Sequence, residues 1–191
     1  DYSGTSGATW LSQAANPETV INWNAPEMAL GGAEWMNCFL GMIPGSMGET
    51  SVLACLVGAG VLITTKIGSW RTMAGVLIGT VAMSLLLNVM ANIPGFDNPM
   101  LKVPFWWHFV LGGWAFGMVF MATDPVSSPF TAAGKFAYGI GIGIMVILVR
   151  CINPAYAEGM MLAILFMNMF SPLLDHFIVQ ANIKRRMARD V

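Results

Sequence analysis

Residues 72–93 read TMAGVLIGTVAMSLLLNVMANI, a run without a single charged side chain. At 1.5 Å of rise per residue, a helix of this length crosses the roughly 30 Å hydrocarbon core of a bilayer. Outward from this run, four more stretches are apolar enough, some only with their flanks. They are about 51–65, on the short side, then 105–122, 132–149 and 159–179. Of the 191 residues, 56% are hydrophobic and 10% are charged. A soluble domain carries about 25% charged residues. Mean hydropathy is +0.66. These observations predict an all-α polytopic membrane protein with about five transmembrane helices over residues 51–180. Residues 1–50 are mixed, with Asn, Pro and Gly, and are expected to form an extracytoplasmic or interfacial segment. Trp35 and Phe39 suit the membrane–water boundary. Residues 181–191 form a basic tail.

The few charges orient the bundle. Nine Lys and Arg against ten Asp and Glu give a net charge of −1. That balance excludes the basic footprint of a nucleic-acid binder, and the high hydrophobicity excludes disorder. Lys66, Arg71, Lys135, Lys184, Arg185, Arg186 and Arg189 fall on one side of a five-span topology. Lys102, and Arg150 read as a residue of the last connection, fall on the other. The positive-inside rule then puts the carboxy terminus in the cytoplasm and residues 1–50 outside it. The chain starts at Asp1 without a Met, and is read as the carboxy-terminal part of a longer polypeptide.

Within the spans, Gly75 and Gly79, Gly113 and Gly117, and Gly139 and Gly143 are each four residues apart. Each pair puts a bare patch on one helix face, which favours close helix contact. Cys38, Cys55 and Cys151 have no zinc or CxxC spacing and read as packing residues. His108 and His176 fall near opposite membrane faces, so one haem does not bridge them. Carboxylates inside a membrane are functional suspects. Asp124, before Pro125, and Asp175, three residues after Pro172, both fall toward the cytoplasmic side. With backbone carbonyls freed near Pro172 they are candidate ligands on a Na⁺ pathway. Asp124 as a turn cap, and Asp175 paired with His176 or a tail arginine, are the plainer readings. Glu49 and Glu158 flank helix starts, where an acid suits the dipole.

One short motif remains, Ser6-Gly7-Ala8-Thr9. Alone it reads as a small-residue turn, with Thr9 as a helix cap. Further segments accompany it: Ile43-Pro44-Gly45-Ser46-Met47-Gly48-Glu49-Thr50-Ser51, Gly68-Ser69-Trp70-Arg71, Phe120-Met121-Ala122-Thr123-Asp124-Pro125-Val126-Ser127, Asn153-Pro154-Ala155-Tyr156, Leu174-Asp175-His176 and Asn182-Ile183-Lys184-Arg185-Arg186. With these the chain resembles the B subunit of the bacterial Na⁺-translocating NADH:quinone reductase, over the carboxy-terminal part of that protein. The related D subunit of the ion-translocating ferredoxin:NAD⁺ complex is the alternative. A cofactor-free transporter or channel is a second one, but leaves Ser6–Thr9 unexplained. Ser3 stands where the family's motif has Asp.

The resemblance implies an enzyme subunit, a translocase, in the bacterial inner membrane. It implies FMN joined by a phosphoester to Thr9 on the extracytoplasmic side, with Ser6, Gly7 and Ala8 completing the attachment motif. It leaves room for riboflavin in the complete protein. The implied partners are other reductase subunits, including a second FMN-bearing one, together with ubiquinone, Na⁺ and the lipid membrane. Electrons would pass from the flavin toward ubiquinone, coupled to Na⁺ translocation.

Overall fold

The computed structural model describes Leu11 and residues 35–43, 50–91, 98–153 and 158–188. Every regular element among them is helical: α1 (Trp35–Leu40), α2 (Val52–Thr64), α3 (Trp70–Met90), a 3-10 turn (Pro99–Lys102), α4 (Phe105–Val110), α5 (Trp114–Phe116), a π-helical stretch (Gly117–Met121), α6 (Ala132–Ile152) and α7 (Met160–Met187). The all-α class expected from the sequence is what the chain adopts. Three helices among the described residues, α3, α6 and α7, are long and apolar enough to cross a membrane, and α2 is a shorter apolar one. The helix starts carry local signals. Ser51, Ser69 and Thr131 each accept from a backbone N–H three residues on, which satisfies an amide that the helix leaves free.

The centre of the fold is the α3–α6 contact, where two helices touch backbone to backbone. A Cβ on Gly75 would stand 2.8 Å from the Phe136 carbonyl oxygen, and one on Gly139 would stand 3.0 Å from the Gly75 Cα. Cβ atoms on Gly79 and Gly143 would collide with the Ile140 and Val76 carbonyls. The two glycine pairs therefore face each other, as the spacing predicts. Residue numbers rise together across this contact, so α3 and α6 run parallel. α7 runs back along α6, with Thr131 facing Asp175 and Tyr138 facing Asn168.

The expected helix over 105–122 is a correction. The chain does form helix at both ends of this stretch, but Leu111–Gly113 break it. Gly112 takes φ +67°, a left-handed conformation that favours glycine. Beyond the break, Ala122 N–H reaches the Gly117 carbonyl at 2.7 Å and closes a π turn. The stretch still carries the chain across the bundle. Before it, Asn98 donates to the Cys151 carbonyl at the end of α6. After it, Thr131 caps the start of α6. Gly117 packs on Met160 and Ile164 of α7, whereas Gly113 sits at the break, so this third glycine pair is not one continuous helix face.

Candidate functional site

The break in the third crossing leaves backbone carbonyls without helical partners, and Arg150 takes them. Its Nε donates to the Glu158 carbonyl at 3.1 Å, Nη1 to the His108 carbonyl at 3.0 Å, and Nη2 to the Leu111 carbonyl at 2.9 Å. Nη1 also lies 3.4 Å from His108 Nδ1. Arg150 is 0% exposed and His108 1%. A bare ammonium on a flexible stem does not match this pattern, whereas the planar fork of a guanidinium holds several oxygens at once. By hydropathy Arg150 falls in a connection. It belongs instead to the last turn of α6, which runs on to Ile152. Leu11, 1% exposed, ends against the same point: its Cδ2 lies 3.3 Å from a Cβ built on Gly112.

The opposite end of the bundle holds the acids. Asp124 follows the π turn. Its Oδ2 accepts from the Ser127 amide at 3.1 Å and the Ser127 hydroxyl at 2.9 Å. That is the turn-capping role the sequence allowed. The Ser127 hydroxyl, against partial desolvation, holds the Asp124 carboxyl below the ordinary carboxylate range. The same side chain also lines a cavity of about 400 Å³ with Ser127, Asn168, Phe120 and Met161 among its walls. Tyr138, buried on α6, donates its hydroxyl to Asn168 Oδ1. Pro172 has no N–H to offer the Asn168 carbonyl four residues earlier, so that carbonyl loses its helical partner.

Asp175 is engaged differently. Oδ2 accepts from the Phe130 amide at 2.6 Å, and Oδ1 from the Thr131 amide at 3.1 Å and its hydroxyl at 2.6 Å. Thr131 in turn caps α6 through the Gly134 amide at 3.1 Å. Asp175 thus latches α7 to the start of α6, and its partners are on the 130–131 turn rather than His176 or a tail arginine. Asp124 and Asp175 share an end of the bundle, and Asp175 is not among the residues that line the Asp124 cavity. His108 and His176 lie at opposite ends, as chain direction predicts, and His176 is exposed.

Ser6, Gly7, Ala8, Thr9, Glu49 and Arg189 lie outside the described residues. Leu11, close after the motif, sits at the Arg150 end. Arg71 at the start of α3, Lys135 at the start of α6 and Lys184, Arg185 and Arg186 in the last turns of α7 lie at the other. Asn168, Tyr138 and Thr131 carry no signal in the sequence that singles them out, whereas Ser127 is three residues from Asp124 in the segment already noted. Each of the first three is a common polar residue, and only the fold brings it to an acid.

A family model described as the NQR2, RnfD, RnfE family matches residues 2–184. The chain belongs to this family. Among curated relatives, the B subunit of the Na(+)-translocating NADH-quinone reductase of Ectopseudomonas mendocina (strain ymp) is 55% identical over 190 residues, covering 98% of this chain and 44% of that protein. The like-named protein of Pseudomonas aeruginosa (strain LESB58) is 55% identical over 188 residues, with the same coverage. That of Klebsiella pneumoniae (strain 342) is 53% identical over 189 residues, covering 97% of this chain and 44% of its own. This member of the NQR2, RnfD, RnfE family therefore spans less than half the length of the relatives it matches.

Proposed function

We propose that the chain works as part of a membrane subunit of a Na⁺-pumping NADH:quinone oxidoreductase, carrying FMN esterified to Thr9 that relays electrons toward ubiquinone. The observation that carries this reading is Ser6-Gly7-Ala8-Thr9 in a chain 55% identical to relatives named as the B subunit of that reductase. The same family description covers RnfD, so the relatives' names, rather than the family alone, favour the reductase over the ferredoxin:NAD⁺ alternative.

The chain's residues suit the assignment. A threonine hydroxyl is a poor nucleophile unaided, so an attaching transferase makes the ester. The small side chains of Ser6, Gly7 and Ala8 leave it room. Once bound, the flavin supplies the electron chemistry, while the protein supplies position and field. Leu11, two residues after Thr9 in sequence, is buried at the helix break beside Arg150. Orientation follows from charge. With Arg150 buried, Lys102 is the remaining basic residue on the side that the topology puts outside, against seven inside. Leu11 lies at the end away from those basic residues, which supports Thr9 as extracytoplasmic and the carboxy terminus as cytoplasmic.

Asp124 is the better of the two acids for the Na⁺ pathway. Its carboxylate, the Ser127 hydroxyl and Asn168 border one cavity, and oxygen ligands of this kind suit a hard cation. Asp175 joins such a path only by releasing Phe130 and Thr131. The deciding test is the intact mass of this protein from the purified complex. An FMN-sized addition, lost in Thr9→Ala, is expected. An unmodified mass would leave the cofactor-free transporter as the better reading.

A further inference from the structure

A second cavity, of about 380 Å³, lies where α7 passes the start of α6. Asp175 meets Thr131, the residue before α6 begins, and α7 then runs on to Met187. Ile178, Asn182 and Arg185 follow Asp175 at steps of three and four residues, so they share its face of the helix. That face therefore overshoots the end of α6. Ile178 and Ala181 make the apolar part of the cavity, and Asn182 and Arg185 its polar part, nearer the end of α7. Thr131 and the first turn of α6 make the opposite wall.

Depth in the membrane sets what this cavity meets. The hydrocarbon core takes about 20 helical residues. Counted from Met160, where α7 begins, these end near Val179. The sequence changes at the same level, from Phe177-Ile178-Val179 to Gln180-Ala181-Asn182. Asn182 and Arg185 are then about 5 and 9 Å further along the helix, at the depth of the headgroup layer. Lys184 and Arg186 flank Arg185, and Lys135 stands in the first turn of α6. The acid at this wall, Asp175, has its oxygens engaged by the Phe130 and Thr131 amides and the Thr131 hydroxyl. A basic pocket between membrane helices at this level suits an anionic lipid headgroup.

We propose that this cavity binds the phosphate of an anionic phospholipid, with Arg185 as its main donor. The planar guanidinium offers a phosphate two parallel N–H groups, and the Asn182 amide adds a third donor. The acyl chains lie along Phe177 and Leu173, exposed apolar side chains one and two turns before Ala181. A zwitterionic lipid gains less, because its own cation meets the basic rim. Such a site holds its lipid whichever cofactor the chain carries. For the test, the complete complex is placed in phosphatidylcholine vesicles with a trace of phosphatidylglycerol that bears a photoactivatable diazirine on its acyl chain. Adducts on this chain are mapped by peptide mass, and a matched phosphatidylcholine probe gives the background. Adducts between Phe177 and Arg185 are expected to be several-fold more abundant from the phosphatidylglycerol probe. The excess should vanish in Arg185→Gln and largely survive in Arg186→Gln, which removes the same charge from the next residue round the helix. Equal adducts from the two probes, or none from either because a protein of the complex covers the cavity, overturn the proposal. An excess that Arg185→Gln leaves intact, or that Arg186→Gln removes as fully, overturns it too. Loss of the excess in millimolar inorganic phosphate assigns the cavity to a free anion instead. Asn182→Leu serves if Arg185→Gln fails to assemble.

Discussion

The two ends of the bundle handle the same difficulty with opposite charges. At one end a broken helix leaves carbonyls of His108 and Leu111, and one buried cation, Arg150, gathers them with that of Glu158. At the other end, turns after the π stretch and before α6 leave amides, and two carboxylates collect those. The difference lies in what remains over. Arg150 is sealed and spends its donors on the frame. Asp175 spends both oxygens on one turn. Asp124 spends one oxygen on Ser127 and still borders a cavity. An ionised group that is fully engaged is part of the scaffold. One that is partly engaged is free to meet a ligand.

The largest break in this comparison is expected at Arg150. Arg150→Met keeps much of the volume but leaves the His108, Leu111 and Glu158 carbonyls unmatched. A buried acceptor left unsatisfied costs about 1–3 kcal/mol, and three are left here. The purified complex should show a lower thermal midpoint, or the chain should fail to accumulate. Arg150→Lys should recover part of the loss, because one ammonium does not reach all three oxygens. An unchanged midpoint for Arg150→Met would make the guanidinium a passenger at the break.

Next comes the α3–α6 contact that fixes the distance between the ends. Gly79→Ala drives a methyl into the Ile140 carbonyl, whereas Gly60→Ala on α2 meets nothing within 4 Å. Overpacking of this kind costs about 1–3 kcal/mol, and here backbone has to yield rather than a flexible side chain. Thermal unfolding of the pair should show a clear loss for Gly79→Ala and none for Gly60→Ala. Equal midpoints would mean that the helices separate at little cost.

These glycines are legible in the sequence because a four-residue spacing on an apolar helix has one geometric meaning. The helix break is less so. Gly112-Gly113 is visible, but a hydropathy average runs straight over it, since neither glycine is polar. Arg150 is hidden for a related reason. A charge at the edge of an apolar run is assigned to the loop by default, and its partners at His108 and Leu111 are about 40 residues away in sequence. The acids stand out by their cost in a membrane. Which of them is already occupied depends on Thr131 and Phe130, whose own side chains carry no such signal.

Asp175 gives the third prediction. Asp175→Asn keeps the shape but turns one acceptor into a donor facing the Phe130 or Thr131 amide. An unsatisfied amide costs about 1–2 kcal/mol in a half-buried position, so the thermal midpoint should fall modestly. Asp124→Asn, with only the Ser127 turn at stake, should fall less. If Asp124→Asn proves the more damaging to stability, the division between latch and ligand is reversed.

The smallest structural effect carries the sharpest functional reading. Asp124→Asn is expected to leave folding nearly intact and to raise the Na⁺ concentration that half-saturates quinone reduction by the complete complex. The pH dependence follows from the direction of its shift. The folded-state carboxyl titrates below its ordinary value of 3.8, with the Ser127 hydroxyl as the main cause. A depressed carboxyl contributes stability, and cation binding, above the ordinary value and loses them as pH falls through the depressed one. Na⁺ half-saturation should therefore stay flat from alkaline pH down through weakly acidic conditions. Ser127→Ala removes both the hydroxyl that lowers the carboxyl and an oxygen at the cavity. It should weaken Na⁺ dependence without abolishing it, and let the loss begin at higher pH than in the parent. A Na⁺ titration in Ser127→Ala that matches the parent at every pH would separate Asp124 from the cation and leave it as the cap of a turn.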